Sequence, residues 1–171
     1  MTGTLRTRHV IQGDCVVEEA PDVELSTVLG SCVAACLFDP GLRIGGMNHF
    51  LLPDDGKPAG DNRYAAAAME RLVNALLKRG ASRAALRAKL FGGARMMPGL
   101  PDIGGRNAEA ARRFLMAEGI ACVAADLGGN EARRVRFRPA AGDARVLLLG
   151  PSAALAPERP TAPAGGAIEL F

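Results

Sequence analysis

Cys32 follows Gly30 and Ser31 in the stretch TVLGSC, and His49 stands in GGMNHF, in a chain with only two histidines. A cysteine attacks as its thiolate, and with an ordinary pKa of about 8.5 it needs an imidazole, a cation or a helix N-terminus nearby to ionise at neutral pH. The small residues ahead of the thiol let backbone N–H groups approach a reacting carbonyl oxygen, which makes Gly30 and Ser31 candidates for an oxyanion hole. An imidazole that serves a thiol is usually oriented by a third group, and Ser26, Thr27 and Asn48 are the short polar side chains at hand. Asn48 adjoins His49 in one strand and so points to the opposite face, which favours Ser26 and Thr27 as the orienting residue. Asn48, Gly92 and Gly93 remain candidates for contact with substrate or oxyanion. The chemistry these residues suit is attack on an amide or ester carbonyl.

The other thiols have plainer readings. Cys15, Cys36 and Cys122 each lie in an apolar or alternating segment and are read as packing residues, and His9 as a structural residue in a frayed N-terminal segment. Cys32 and Cys36, with His49 after them, lack the second close-spaced pair that zinc normally takes. Glycine pairs begin at positions 45, 92, 104, 128 and 165, but none belongs to a GK[ST] phosphate loop or a GxGxxG turn between strand and helix. No metal or organic cofactor is expected.

Strands are needed to hold such a site, and they are legible. CVVEE, VELSTVL, CVAACLFD and RIGGMNHFLL alternate or carry β-branched residues, with DPG at 39–41 joining the last two as a hairpin. That hairpin is what brings His49 back beside the strand that follows Cys32. From Asp61 to Lys78 the apolar residues Ala65, Met69, Leu72, Val73, Leu76 and Leu77 recur with helical period, and Arg79-Gly80 closes the run. LRAKLF is a further strand, GGARMMPGLPDIGG a long Gly/Pro-rich loop, and RNAEAARRFLMAEG a second helix. IACVAAD reads as a buried strand, followed by the turn LGGN and two more strands at RRVRFR and ARVLLLG. These elements make a single-domain α/β sandwich over residues 1–150, a mixed and largely antiparallel sheet with flanking helices. Residues 151–171 form a Pro/Ala-rich tail whose terminal AIELF could dock as an added strand, on this protein or on a partner.

Composition narrows the field. At 171 residues, 49% of them apolar, the chain can bury one core without disulfides or metal. A net charge of +3 with scattered arginines, one Tyr and no Trp argues against nucleic acid as partner. No apolar run has the length of a signal peptide or a membrane span, so direct membrane insertion is not expected, and we expect a cytoplasmic monomer with reduced thiols.

STVLGSCVAACLFDP, GGMNHFLLP, YAAAAMERLVNALLKRGA, AKLFGGARM, IGGRNAEAARRFLMAEGI and DLGGNEARRVRF follow one another over about residues 8–150. Together they resemble the chemoreceptor glutamine deamidases of bacterial chemotaxis, the CheD family. The resemblance implies hydrolysis of glutamine side-chain amides in methyl-accepting chemotaxis receptors, with Cys32 as nucleophile, His49 as general base and a hydroxyl at Ser26 or Thr27 as third catalytic residue. Ala132 stands where the family more often has glycine. A CheC-type phosphatase is an implied partner, and the long loop from Gly92 is a candidate wall of the receptor groove. The rival reading is a non-catalytic adaptor that binds receptors or such a phosphatase through the same groove. Methylesterase side activity would follow from the same thiolate.

Overall fold

The computed structural model describes residues 3–52, 63–150 and 168–171. Along the chain come β1 (Arg6–His9), β2 (Cys15–Glu18), β3 (Val23–Leu29), β4 (Val33–Asp39), β5 (Ile44–Asn48), α1 (Arg63–Lys78) and β6 (Arg87–Gly92). After them come α2 (Ile103–Glu118), β7 (Ala121–Leu127), β8 (Ala132–Arg138), β9 (Asp143–Gly150) and β10 (Ile168–Leu170). The expected α/β class and largely antiparallel pairing hold, but the strands divide between two five-stranded sheets, β1-β3-β8-β9-β10 and β2-β5-β4-β6-β7. Among the described strands only β1 with β3 and β6 with β7 run parallel.

Alternation along β4 explains the layering. Val33, Ala35 and Leu37 pack with Leu72, Leu76, Ala111 and Leu115 of the two helices, whereas Ala34 and Cys36 pack with Leu25, Phe137 and Val146 of the other sheet. β4 is thus buried on both faces, with residues 33–37 all fully buried, and the helices cover one side of its sheet while the second sheet covers the other. α1 buries Ala65, Met69, Leu72, Val73 and Leu76, the stripe its periodicity predicts; Asp61, the expected start, lies outside the described residues. The DPG turn forms as expected: Asp39 Oδ1 accepts from the backbone N–H of Gly41 (3.0 Å) and Leu42 (3.1 Å), and β4 and β5 pair antiparallel.

Three expectations are corrected. The segment around His9 is not frayed but forms β1, parallel to β3; all four of its residues are exposed at a sheet edge, which is why hydropathy carried no sign of it. β7 is an edge strand whose first three residues are exposed, Cys122 among them, so that thiol is not a packing residue. α2 begins at Ile103, inside the segment read as loop. Its Gly104-Gly105 looks like a helix breaker, yet the Asp102 side chain caps Gly105 N–H at 2.9 Å, and a Cβ on Gly104 would come within 2.3 Å of the Ala94 carbonyl. That glycine lets the helix approach the loop. Of the tail, residues 168–171 are described: β10 adds to β9 of this same chain, as AIELF allowed, with the Phe171 ring 5.8 Å from Phe91 and its carbonyl accepting from Lys89 Nζ at 2.9 Å. No helix among the described residues is long and apolar enough to cross a membrane.

Candidate active site

β3 belongs to one sheet and β4 to the other, so Gly30, Ser31 and Cys32 are the elbow by which the chain changes sheets. Three successive carbonyls of that elbow are held from behind: Gly30 O by Ala94 N–H (3.0 Å), Ser31 O by Asn107 Nδ2 (2.8 Å) and Cys32 O by Gly93 N–H (2.8 Å). Among the described residues the N–H groups of Gly30, Ser31 and Cys32 have no backbone acceptor. A row of fixed carbonyls with N–H groups that no backbone carbonyl takes is the arrangement an oxyanion hole needs.

His49 follows the last residue of β5 and is held on both sides by backbone, its N–H donating to Asp14 O (3.2 Å) and its carbonyl accepting from Gly13 N–H (2.8 Å). Thr27 shares the inward face of β3 with Leu25 and Leu29, and its Oγ1 lies 2.8 Å from His49 Nδ1. Ser26 points to the opposite face of β3, away from the imidazole. The Thr27 hydroxyl donates its one proton to Val10 O at 2.5 Å, so toward His49 it can only accept. Nδ1 therefore carries hydrogen, a state also favoured by Val10 O at 3.4 Å, and Nε2 is left as the acceptor.

Asn48 points away from His49, as strand alternation requires. Its Oδ1 accepts from Ala35 N–H (2.9 Å) and its Nδ2 donates to Ala68 O (3.2 Å), so it straps α1 to β5 and does not reach the thiol. Gly92 and Gly93 stand behind Cys32: Gly93 holds the Cys32 carbonyl, and Gly92, at φ +106°, leaves no room for a side chain against that same oxygen. The thiol's hydrogen bond goes to Gln12 Oε1 at 3.8 Å, and none joins it to His49 in this state.

The sequence profile of the family described as CheD chemotactic sensory transduction matches residues 51–147. A protein of Acidiphilium cryptum described as "Probable chemoreceptor glutamine deamidase CheD" is 50% identical over 97% of this chain and 94% of its own length. One of Caulobacter vibrioides with the same description is 52% identical over 95% and 92%. This chain belongs to the CheD family. Among solved structures, protein YfiH of Bacillus licheniformis is similar at a TM-score of 0.46 and 16% identity, over 73% of this chain and 60% of that one.

In this CheD-family chain burial sets the charge states. It pushes the Cys32 thiol up, against the pull of its own backbone N–H, and pushes His49 below its usual 6.5, against the Val10 carbonyl and Asp14. The resting pair is a neutral thiol and a neutral imidazole. Cys36 is fully buried between the sheets, where the same effect keeps its thiol protonated. Ala132 opens β8 without a left-handed φ, so alanine is unstrained there.

Two hollows lie by the site, the first at His49 and the second meeting the elbow at Ser31. One, of about 190 Å³, is lined by Gln12, Asp14, His49, Tyr64 and Arg71; the other, of about 170 Å³, by Ser31, Arg95, Met96, Met97, Leu100 and Ile103. The second is walled by the loop after β6, whose Met97 and Leu100 are exposed. Sequence reasoning missed the strap over residues 10–14 and Asn107, which is wholly buried and joins Leu52 N–H (2.8 Å) to the Ser31 carbonyl. A lone asparagine in a helix carries no sign of this role. Asn107→Ala leaves both backbone groups without their buried partner and should lower stability by about 2 kcal/mol, read as a shifted denaturant midpoint at unchanged slope.

Proposed function

We propose that this chain deamidates glutamine side chains of methyl-accepting chemotaxis receptors, giving glutamate and ammonia, with Cys32 as nucleophile, His49 as general base and acid, and Thr27 as the residue that orients His49. The observation that carries the reading is the Val10–Thr27–His49 chain, which leaves Nε2 as the proton acceptor, while Cys32 ends an elbow whose N–H groups meet no backbone acceptor among the described residues. Family membership and relatives named for that activity support the substrate. The four free cysteines suit a reducing cytoplasm, and a CheC-type phosphatase is the second partner.

Because both groups rest neutral, the thiol proton passes to Nε2 as sulfur attacks the amide carbon. A C–S bond forms, the carbonyl π pair moves to oxygen, and elbow N–H groups hold the charge. Collapse breaks the C–N bond, Nε2–H gives its proton to nitrogen, and ammonia leaves a thioester. Water adds with its proton passing to Nε2, the C–S bond breaks, and sulfur takes the proton back. A methyl ester would react by the same route with methanol leaving.

The test is mass spectrometry of receptor cytoplasmic fragments after incubation with the protein. Glutamine-to-glutamate conversion supports the deamidase; binding with no conversion at any glutamine hands the function to the adaptor. Within this reading Thr27→Val removes the acceptor at Nδ1 while keeping the shape, and should lower kcat roughly 10- to 100-fold, with recovery in Thr27→Ser. Ser26→Val, on the opposite face, should leave kcat within about threefold; the reverse pattern would exchange their roles.

A further inference from the structure

Gln12 is an exposed side chain that touches the nucleophile. Its Oε1 accepts from Cys32 Sγ at 3.8 Å, and among the described residues its carboxamide has no other hydrogen bond, so both Nε2–H groups are unused. The backbone beneath it is fixed. Val10 N–H donates to Ser26 O (2.8 Å), Gly13 N–H to His49 O (2.8 Å), Arg71 Nη1 to Gly13 O (3.1 Å), and Asp14 N–H closes a turn onto Ile11 O (2.9 Å). Gln12 stands on that turn and lines the hollow that also holds His49. A rotamer-rich side chain held over a thiol by a backbone bonded to both catalytic strands is more than a solvated loop residue needs.

We propose that Gln12 is a catalytic residue, whose carboxamide N–H is the side-chain donor of the oxyanion hole, acting with the N–H groups of the elbow. This rests on the deamidase reading above. A donor must come within about 2.7–3.1 Å of the oxyanion, and an amide already against Sγ can reach an oxygen bonded to the carbon that sulfur attacks. In the resting state the neutral thiol donates to Oε1. As sulfur surrenders its proton to His49 and the substrate carbonyl pair moves onto oxygen, an acceptor at that place becomes repulsive. Half a turn of the carboxamide then puts Nε2–H where Oε1 stood. The contact is thus favourable in the transition state and weak before it, as rate acceleration requires.

The full-length chain, assayed on a receptor cytoplasmic fragment for ammonia release, gives kcat and KM for wild type, Gln12→Ala and the isosteric Gln12→Glu, with iodoacetamide alkylation of Cys32 measured alongside. Alkylation displaces iodide and forms no oxyanion. For Gln12→Ala the expected result is a kcat lower by about 10²-fold or more, with KM and alkylation rate each within about threefold. Gln12→Glu, which offers no donor and adds an anion, should fall at least as far. A kcat within about threefold of wild type in Gln12→Ala overturns the proposal. So does an alkylation rate that falls in step with kcat, which would make Gln12 a positioning residue for the thiol. Conversion of Gln12 itself to glutamate in wild type but not in Cys32→Ala would make it a substrate and overturn the proposal too. If wild type converts no glutamine, the deamidase reading itself falls, and Gln12 with it.

Discussion

Cys32→Ala should abolish conversion of receptor glutamine to glutamate, a fall of at least about 10⁴-fold, while the protein still folds and still binds receptor. The thiol is half-buried at the edge of the inter-sheet core, and its removal leaves the elbow's backbone bonds intact, so the loss is chemical. The pH behaviour of wild type sharpens the expectation. Burial raises the thiol and lowers His49, so no thiolate–imidazolium pair stands ready at neutral pH. Iodoacetamide should therefore react with Cys32 slowly at pH 7 and faster as pH climbs through and beyond the ordinary thiol range. A rate already flat from pH 6 would mean a pre-formed ion pair, against the electrostatics of the site. Cys122→Ala, an exposed thiol on an edge strand, serves as the control with unchanged turnover.

Gly92→Ala is expected to be the most damaging single methyl at any described glycine. Gly92 ends β6 at φ +106°, a region that costs a side-chain-bearing residue strain, and its added Cβ would come within 2.2 Å of the Cys32 carbonyl oxygen. That oxygen is backbone, pinned by Gly93 N–H, so it cannot swing aside as a flexible side chain would. We expect a loss on the order of 3 kcal/mol, a midpoint lower by about 6–12 °C in a thermal melt, and an elbow pushed out of place, so that activity is lost even at temperatures where the variant is folded. A melt within about 2 °C of wild type with full turnover would show that the elbow gives way easily, and that its fixed carbonyls do not matter.

What the sequence made legible follows from which signals are local. Cys32 and His49 announced themselves through residue type and through the DPG turn, which sets the antiparallel return of β5 within a few residues. Ser26 and Thr27 were indistinguishable because the choice depends on which face of β3 meets the other sheet, a matter of packing across layers. Gln12 and Asn107 were invisible for a related reason: each touches the elbow from 20 and 76 positions away, through the strap and through α2. Two sheets were read as one because β4, buried on both faces, shows the same apolar run in either arrangement. The glycines at 104 and 105 hid the start of α2, since the close approach that requires Gly104 exists only once helix and loop are docked.

The elbow that joins the sheets has a consequence for how this enzyme fails. Thr27 hangs from one sheet and His49 from the other, and the hydrogen bond between them bridges the seam. With Thr27 and His49 in the roles proposed above, turnover becomes a gauge of how the two layers are aligned. Trimming seam residues such as Phe137 or Val146, whose side chains never meet a substrate, should slacken that alignment and dim the chemistry at temperatures well short of unfolding.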